Sequence, residues 1–199
     1  MLVVETHFAR TARSIPLNRV QRELVIGSLL GDGYLMPTTA GCCFRVGHGS
    51  QQADYVDWKF GLLSPYVRTA PRVCGRSYYF RTVTHPDLSE FRRLFYVDAS
   101  TKTVPFDLLE RELTAFGLAV WFMDDGASDR KQLRINSQGF SEFENAGLIR
   151  FLRAKFGIAA RLNRDKDRYR LRINDASVWR FRELVRPYVL PTMLYKLPL

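Results

Sequence analysis

The sequence is short of three things, and each shortage excludes something. Cysteine is rare: only Cys42, Cys43 and Cys74 occur. Their number is odd and no metal-ligand spacing joins them, which argues against a disulfide framework or a zinc cluster and fits reducing, intracellular surroundings. Long apolar runs are missing, so no segment is expected to cross a membrane. The opening stretch MLVVETHFARTARSIP has no apolar core of the length a secretory signal needs. Acids are the third shortage. Twenty Asp+Glu against thirty Lys+Arg leave a formal charge of +10, an excess that suits a polyanionic partner, nucleic acid before others. Within that excess lysine is itself scarce, with 6 lysines beside 24 arginines. Arginine grips phosphate and the guanine edge bidentately, and the few lysines become markers wherever they recur.

What is present is a repeat. Asp32-Gly33 closes the apolar stretch ELVIGSLLGDGYL, and Asp125-Gly126 closes GLAVWFMDDGAS 93 residues later. FRVGHGSQQ (44–52) and LRINSQGFSE (133–142) both read as a strand running into a helix start, with Ser50 and Ser141 as N-caps. Glu144 completes a capping box with Ser141. SEFRRLF (89–95) is matched by WRFRELV (179–185), and KTVP (102–105) by KLP (196–198), with Lys102 and Lys196 94 residues apart. Four landmarks in one order at nearly constant offset make a tandem repeat.

Each half reads as helix, two strands, helix, two strands, helix, an α+β arrangement. In the first half Asn18 caps a helix over 19–31, followed by strands at 33–38 and 42–48, a helix at 51–64, strands at 72–76 and 78–84, and a helix at 87–96. In the second, Thr114 caps a helix ending at Asp125. Strand structure follows at 131–137, then a helix at 142–155, strands at 158–163 and 168–173, and a helix at 176–187. The expected divisions are an N-terminal extension (1–16), a first half (17–105) and a second half (106–199). The connection ASTKTVPFDLLERE is short and lacks a Gly/Ser linker, so the halves are expected to pack together.

The strands of the second half alternate clearly. Arg168, Arg170 and Arg172 fall opposite Tyr169, Leu171 and Ile173; Arg134 and Asn136 fall opposite Leu133 and Ile135; Arg161 and Asn163 flank Leu162. A polar sheet face this rich in Arg and Asn points to a nucleic-acid groove. The first half offers Tyr34, Met36, Thr38, Arg45, Arg76 and Tyr78, with Arg81 out of phase.

A helix C-terminus is electronegative, and an Asp there adds a full charge. Two such ends brought together need a cation, and hard oxygen ligands beside a phosphate-binding surface suit Mg²⁺. Such an ion activates water and stabilises a leaving oxygen, so the repeat suggests metal-dependent phosphodiester hydrolysis with one acid for each strand of a duplex. Gly27 and Gly31 allow close helix approach, but the aligned positions are Val120 and Asp124, leaving Ala119 as the small residue of the second helix.

LVIGSLLGDG and LAVWFMDDG resemble the two signature motifs of the LAGLIDADG homing endonucleases, in their single-chain, two-motif branch, and the likeness extends from about residue 17 to the end. The resemblance implies a pseudo-twofold αββαββα repeat with two central packed helices and two saddle-shaped antiparallel sheets on double-stranded DNA. It implies a monomer that makes a double-strand break at a long target with Mg²⁺ or Mn²⁺, leaving short 3′ overhangs, as in intron homing; Ca²⁺ would support binding without cleavage. Carried over by residue, the metal-binding acids are Asp32 and Asp125, and the preceding carbonyls are those of Gly31 and Asp124. Lys102 and Lys196 stand near the scissile phosphates. His48 organises water, its counterpart being Asn136, Ser137 or Gln138, with Gln138 preferred. The setting implied is an intracellular one with DNA, a prokaryotic cytoplasm or an organelle. Two other readings share the scaffold: an RNA maturase acting on a host intron, and a DNA-binding regulator, which would be free to lose the acids.

Overall fold

Asn18 and Thr114 each begin a helix that runs apolar and ends at an aspartate. The Asn18 side chain accepts from Gln21 N, and Gln21 Oε1 accepts in return from Asn18 N, both at 2.9 Å. The Thr114 hydroxyl accepts from Phe116 N. The computed structural model describes residues 6–129 and 132–197. Its first half runs α1 (His7–Ser14), α2 (Arg19–Leu30), β1 (Tyr34–Thr38), β2 (Gly41–Gly49), α3 (Ala53–Leu63), β3 (Arg72–Cys74), β4 (Ser77–Arg81) and α4 (Pro86–Phe95). The second runs α5 (Phe106–Glu112), α6 (Ala115–Asp125), β5 (Gly126–Asp129), β6 (Gln132–Ile135), α7 (Glu142–Phe156), β7 (Ala160–Asp165), β8 (Arg168–Ile173) and α8 (Asp175–Val185).

Each expected αββαββα unit is thus preceded by one further helix. The connection between the halves, for which no element is expected from the sequence, contains α5, and the N-terminal extension contains α1. The strand structure expected at 131–137 is a hairpin whose first strand, GASD, starts directly after Asp125; position 131 lies outside the described residues. Ser50 is not a cap. It lies inside a short 3-10 turn that continues β2, and its hydroxyl donates to Arg76 O. Ser141 caps α7 as expected, with Glu144 closing the box.

The two sheets have the same strand order, β1-β2-β4-β3 and β5-β6-β8-β7, antiparallel throughout. Their registers superpose. Tyr34 pairs with Arg45 and Arg45 with Arg81; Ala127 pairs with Arg134 and Arg134 with Arg172. Arg45 therefore corresponds to Arg134, and counting along the strand makes His48 correspond to Ser137.

Helices α2 and α6 are the centre, buried over Leu24–Leu30 and Gly117–Asp124. They meet as holes and knobs. A Cβ on Gly27 would lie 2.4 Å from Gly117 O and 2.9 Å from Val120 Cβ, and one on Gly31 would lie 2.5 Å from Asp124 Cβ. The near neighbours of Gly27 are thus Gly117 and Val120, not the expected Ala119. The same Val120–Asp124 ridge meets α3 on its other side. Tyr55 Oη donates to Val120 O at 3.2 Å, and Lys59 Nζ donates to Asp124 Oδ1 at 2.7 Å. Three pairs spaced by four residues, Gly27/Gly31, Val120/Asp124 and Tyr55/Lys59, lie in register, as helical periodicity allows. At the opposite end of the helix pair, Arg22 binds Glu112 through two hydrogen bonds of 2.7 and 2.8 Å, and buried Glu23 accepts from the hydroxyl and amide of Thr114.

Because the obstacle at Gly27 is backbone, Gly27→Ala cannot be relieved by a rotamer change. It is expected to cost about 1–3 kcal/mol in urea unfolding; an unchanged midpoint would contradict the helix contact.

Candidate active site and nucleic-acid interface

The central helices deliver three carboxylates to one place: Asp32 just beyond α2, and Asp124 and Asp125 at the end of α6. Asp32 is half exposed and Asp124 fully buried. Burial, followed by the charge of Asp124, raises the pKa of Asp32. Burial, followed by Asp32 and then Asp124, pushes Asp125 up to about 8. Crowded hard oxygens that resist ionisation together make a fitting place for a divalent cation. Among the described residues no three His, Cys, Asp or Glu side chains are placed so that they could hold a metal ion by themselves. An open set completed by phosphate oxygens is the arrangement Mg²⁺ prefers.

Both marker lysines arrive at this point, in matching ways. Lys102 Nζ donates to Gly31 O at 2.7 Å, the carbonyl just before Asp32. Lys196 Nζ donates to Asp124 O at 2.9 Å, the carbonyl just before Asp125, and also to Met123 O. Burial lowers both ammonium pKa values, against the pull of the three acids. The carbonyls expected to face metal thus accept from the lysines here, each retaining a second lone pair. The capping-box residue Glu144 does a second job. Its Oε1 accepts from Thr103 Oγ1 at 2.7 Å and Val104 N at 3.0 Å, anchoring the segment that carries Lys102.

Sequence reasoning missed Lys59. It is 1% exposed and paired with the 0%-exposed carboxylate of Asp124, so three of the six lysines in the chain serve this one site. The available signal was a lysine inside the apolar turn of YVDWKFGLL; its partner, 65 residues away in the other half, left no local trace. Asp124 Oδ2 is buried without a hydrogen-bond partner. His48 stands beside the cluster, Nδ1 3.7 Å from Asp32 Oδ2 and Nε2 3.6 Å from Asp124 Oδ1. Burial, then the charge of Lys59, lowers its pKa to about 4, so the imidazole is neutral near pH 7. Gln138 does not stand in the matching position: its amide donates to Asp165 at 2.7 Å. Counting on past the end of β6 brings Ser137 to that position; its hydroxyl donates to Asn145 Oδ1 at 2.5 Å, and the residue lines a cleft of about 520 Å³ together with Lys102, Asp125 and Asn136.

The second sheet presents its arginines as expected. Arg134, Arg172 and Arg161 sit directly opposite one another across β6, β8 and β7; Arg170 faces Asn163, and Arg168 faces Asp165. The Nε atoms of Arg134, Arg170 and Arg172 have no partner. Asn136 follows β6 on the same side, its Oδ1 accepting from Arg170. In the first sheet the phase expected for β4 is off by one. Tyr78 lies opposite His48 on the core side and donates to Asp57. The polar face carries Arg72, Tyr79 and Arg81 instead, beside Tyr34, Met36, Thr38 and Arg45. Arg76 lies in the β3–β4 turn rather than on that face. Like charges directly opposite are destabilising in a free sheet. In rows such as Arg45–Arg81 and Arg134–Arg172–Arg161 an anion lying across the face would relieve that repulsion.

Lys59→Met leaves a carboxylate buried and unpaired, with an expected loss of about 3–5 kcal/mol in chemical unfolding. Adding Asp124→Asn removes that charge and is expected to restore most of the loss; a single variant as stable as the parent would contradict the pairing.

Comparisons with known proteins find the same fold. A protein of the same fold, the homing endonuclease I-WcaI bound to its DNA recognition sequence, superposes with a TM-score of 0.89 at 24% identity, over 98% of this chain and 94% of that one. I-DmoI in complex with DNA and Mn superposes at 0.52 and 17% identity, over 84% and 96%. Protein RecA of Mycolicibacterium flavescens is 34% identical over 91% of this chain and 47% of its own length, so the chain spans about half of that relative. The probable intron-encoded DNA endonuclease 3 of Mycosarcoma maydis is 33% identical over 62% of this chain and 94% of its own. The family model of the LAGLIDADG DNA endonuclease family matches residues 22–181, and the chain belongs to that family.

Proposed function

We propose that this chain is a site-specific, metal-dependent DNA endonuclease that makes a double-strand break within a long recognition site, as in intron homing, leaving short 3′ overhangs. The observation that carries the reading is the paired helix end: an acid, and before it a carbonyl held by the lysine of the same half, once at Asp32–Lys102 and again at Asp125–Lys196. A regulator or an RNA chaperone needs no such pair.

Asp32 and Asp125, with the carbonyls of Gly31 and Asp124, would hold Mg²⁺ or Mn²⁺, which supplies an activated water and charge stabilisation at the phosphate. The chain's own groups do the rest. Lys102 and Lys196 bring positive charge to where a scissile phosphate gains negative charge. Neutral His48 can accept a hydrogen bond from the attacking water in one half; in the other half the nearest counterpart by position is the Ser137 hydroxyl, which donates to Asn145 and is far less basic. Lys59 neutralises Asp124, which leaves Asp32 and Asp125 as the acids open to metal. The two arginine-faced sheets, one from each half, carry the duplex as phosphate and base-edge contacts. The active unit is one chain, its halves 17–105 and 106–199 serving one strand each.

Selection of cleaved sites from a DNA library with Mg²⁺ tests this. The parent protein is expected to cut. Asp32→Asn and Asp125→Asn are expected to retain binding in Ca²⁺ and lose cutting of both strands. Unimpaired cutting by either variant would overturn the role of that acid, and no cutting of any DNA by the parent would overturn the function.

A further inference from the structure

The first sheet does not end where its strands end. Its polar face continues into a groove of about 730 Å³, walled by α1 on one side and by residues 68–70 on the other. Tyr79, Arg72 and Arg81 on the floor belong to the polar face described above, and buried Cys43, paired with Met36, lies beside them. The walls add Arg13 and Arg68, and the lining includes no acid. Threonine hydroxyls are dense, with Thr38, Thr39, Thr69 and Thr84 among them. Helix α1 is held firmly enough to act as a wall. Ala12 is buried, Phe8 packs on the core, and the Arg13 guanidinium donates to the Thr84 carbonyl and hydroxyl. The following residues are tied as well, Leu17 N donating to Asp87 at 2.9 Å.

The position of the groove says what it would meet. Chain β1 leaves the acids at Tyr34 and reaches the groove at Thr38, four residue steps or about 13 Å farther out. A duplex lying on the sheet would arrive there about four base pairs beyond the segment over Tyr34. A lining rich in arginine and threonine and without an acid suits phosphate oxygens.

We propose that this groove is a phosphate clamp: it holds the DNA backbone at the outer end of the first half-site, with α1 and the 68–70 loop as its walls. The proposal rests on the reading of the chain as a duplex-DNA nuclease and assigns the N-terminal helix a binding role. Arg68 is the exposed arginine of the walls, its side chain outside the packed core. Its neighbours Arg13 and Arg72 are already engaged, with Thr84 and with the ring and hydroxyl of Tyr79.

The test uses the duplex that the parent protein cuts, bound in Ca²⁺, in three forms: full length, shortened at the first-half end, and shortened at the second-half end. Arg68→Gln is expected to weaken binding of the full-length duplex about 3- to 10-fold and to lower the slope of log affinity against log salt by about one. Arg68→Lys is expected to keep the salt slope. The Gln effect is expected to vanish when the first-half end is removed and to persist when the second-half end is removed. An equal effect on all three duplexes, or none on the full-length one, would overturn the clamp. A parent protein that binds no duplex at all would overturn the clamp together with the function, and so separates the two failures. Thermal unfolding of Arg68→Gln is expected to match the parent.

Discussion

The structure depends on how closely α2 and α6 can approach. Glycine at 27 and 31 removes side chains from one helix, and Val120 and Asp124 fill the space from the other. That contact joins the halves and aims both helix ends at the same point. The acids are crowded because the helices are packed, and the crowding is what makes the point attractive to a cation. Packing of the core and chemistry of the site are one arrangement seen from its two ends.

The close approach has an electrostatic cost, and the chain meets it with three of its rare lysines. Asp32, Asp124 and Asp125 are balanced by Lys59, Lys102 and Lys196, each engaged at a different atom. The balance is not symmetric. Lys59 belongs to the first half and neutralises an acid of the second, at a position where the first half has Gly31 instead. His48 against Ser137 breaks the twofold again on the sheet side. The two copies of the repeat are thereby unequal and need one another, since neither half contains both members of the buried pair. The further helices α1 and α5, absent from the simple repeat pattern, lie outside this centre and reinforce its margins.

Much of this was legible in sequence because its causes are local. The caps at Asn18, Thr114 and Ser141 are set by residues three positions apart or fewer. The repeat itself revealed Asp32 with Asp125 and Lys102 with Lys196. Four features were not legible, each for a physical reason. Strand β5, GASD, has no β-branched or aromatic residue and exists because its backbone pairs with β6. In SYYF two tyrosines are adjacent, so alternation alone cannot say which faces out; the pairing of Tyr78 with His48 and of Tyr79 with Gly47 on β2 decides it. The hole-and-knob contact and the Lys59–Asp124 pair join residues distant in sequence, and no window along the chain contains both partners.

The central claim is that the ends of α2 and α6 form one cation site facing a duplex carried on the polar sheet faces. A crystal structure with Mn²⁺ and the cleaved duplex, read by anomalous scattering, tests it most directly. The account predicts manganese bonded to the carboxylates of Asp32 and Asp125, with scissile phosphates completing its coordination and Arg45 and Arg134 facing the DNA. Manganese away from both carboxylates, or DNA seated on another face, would contradict it.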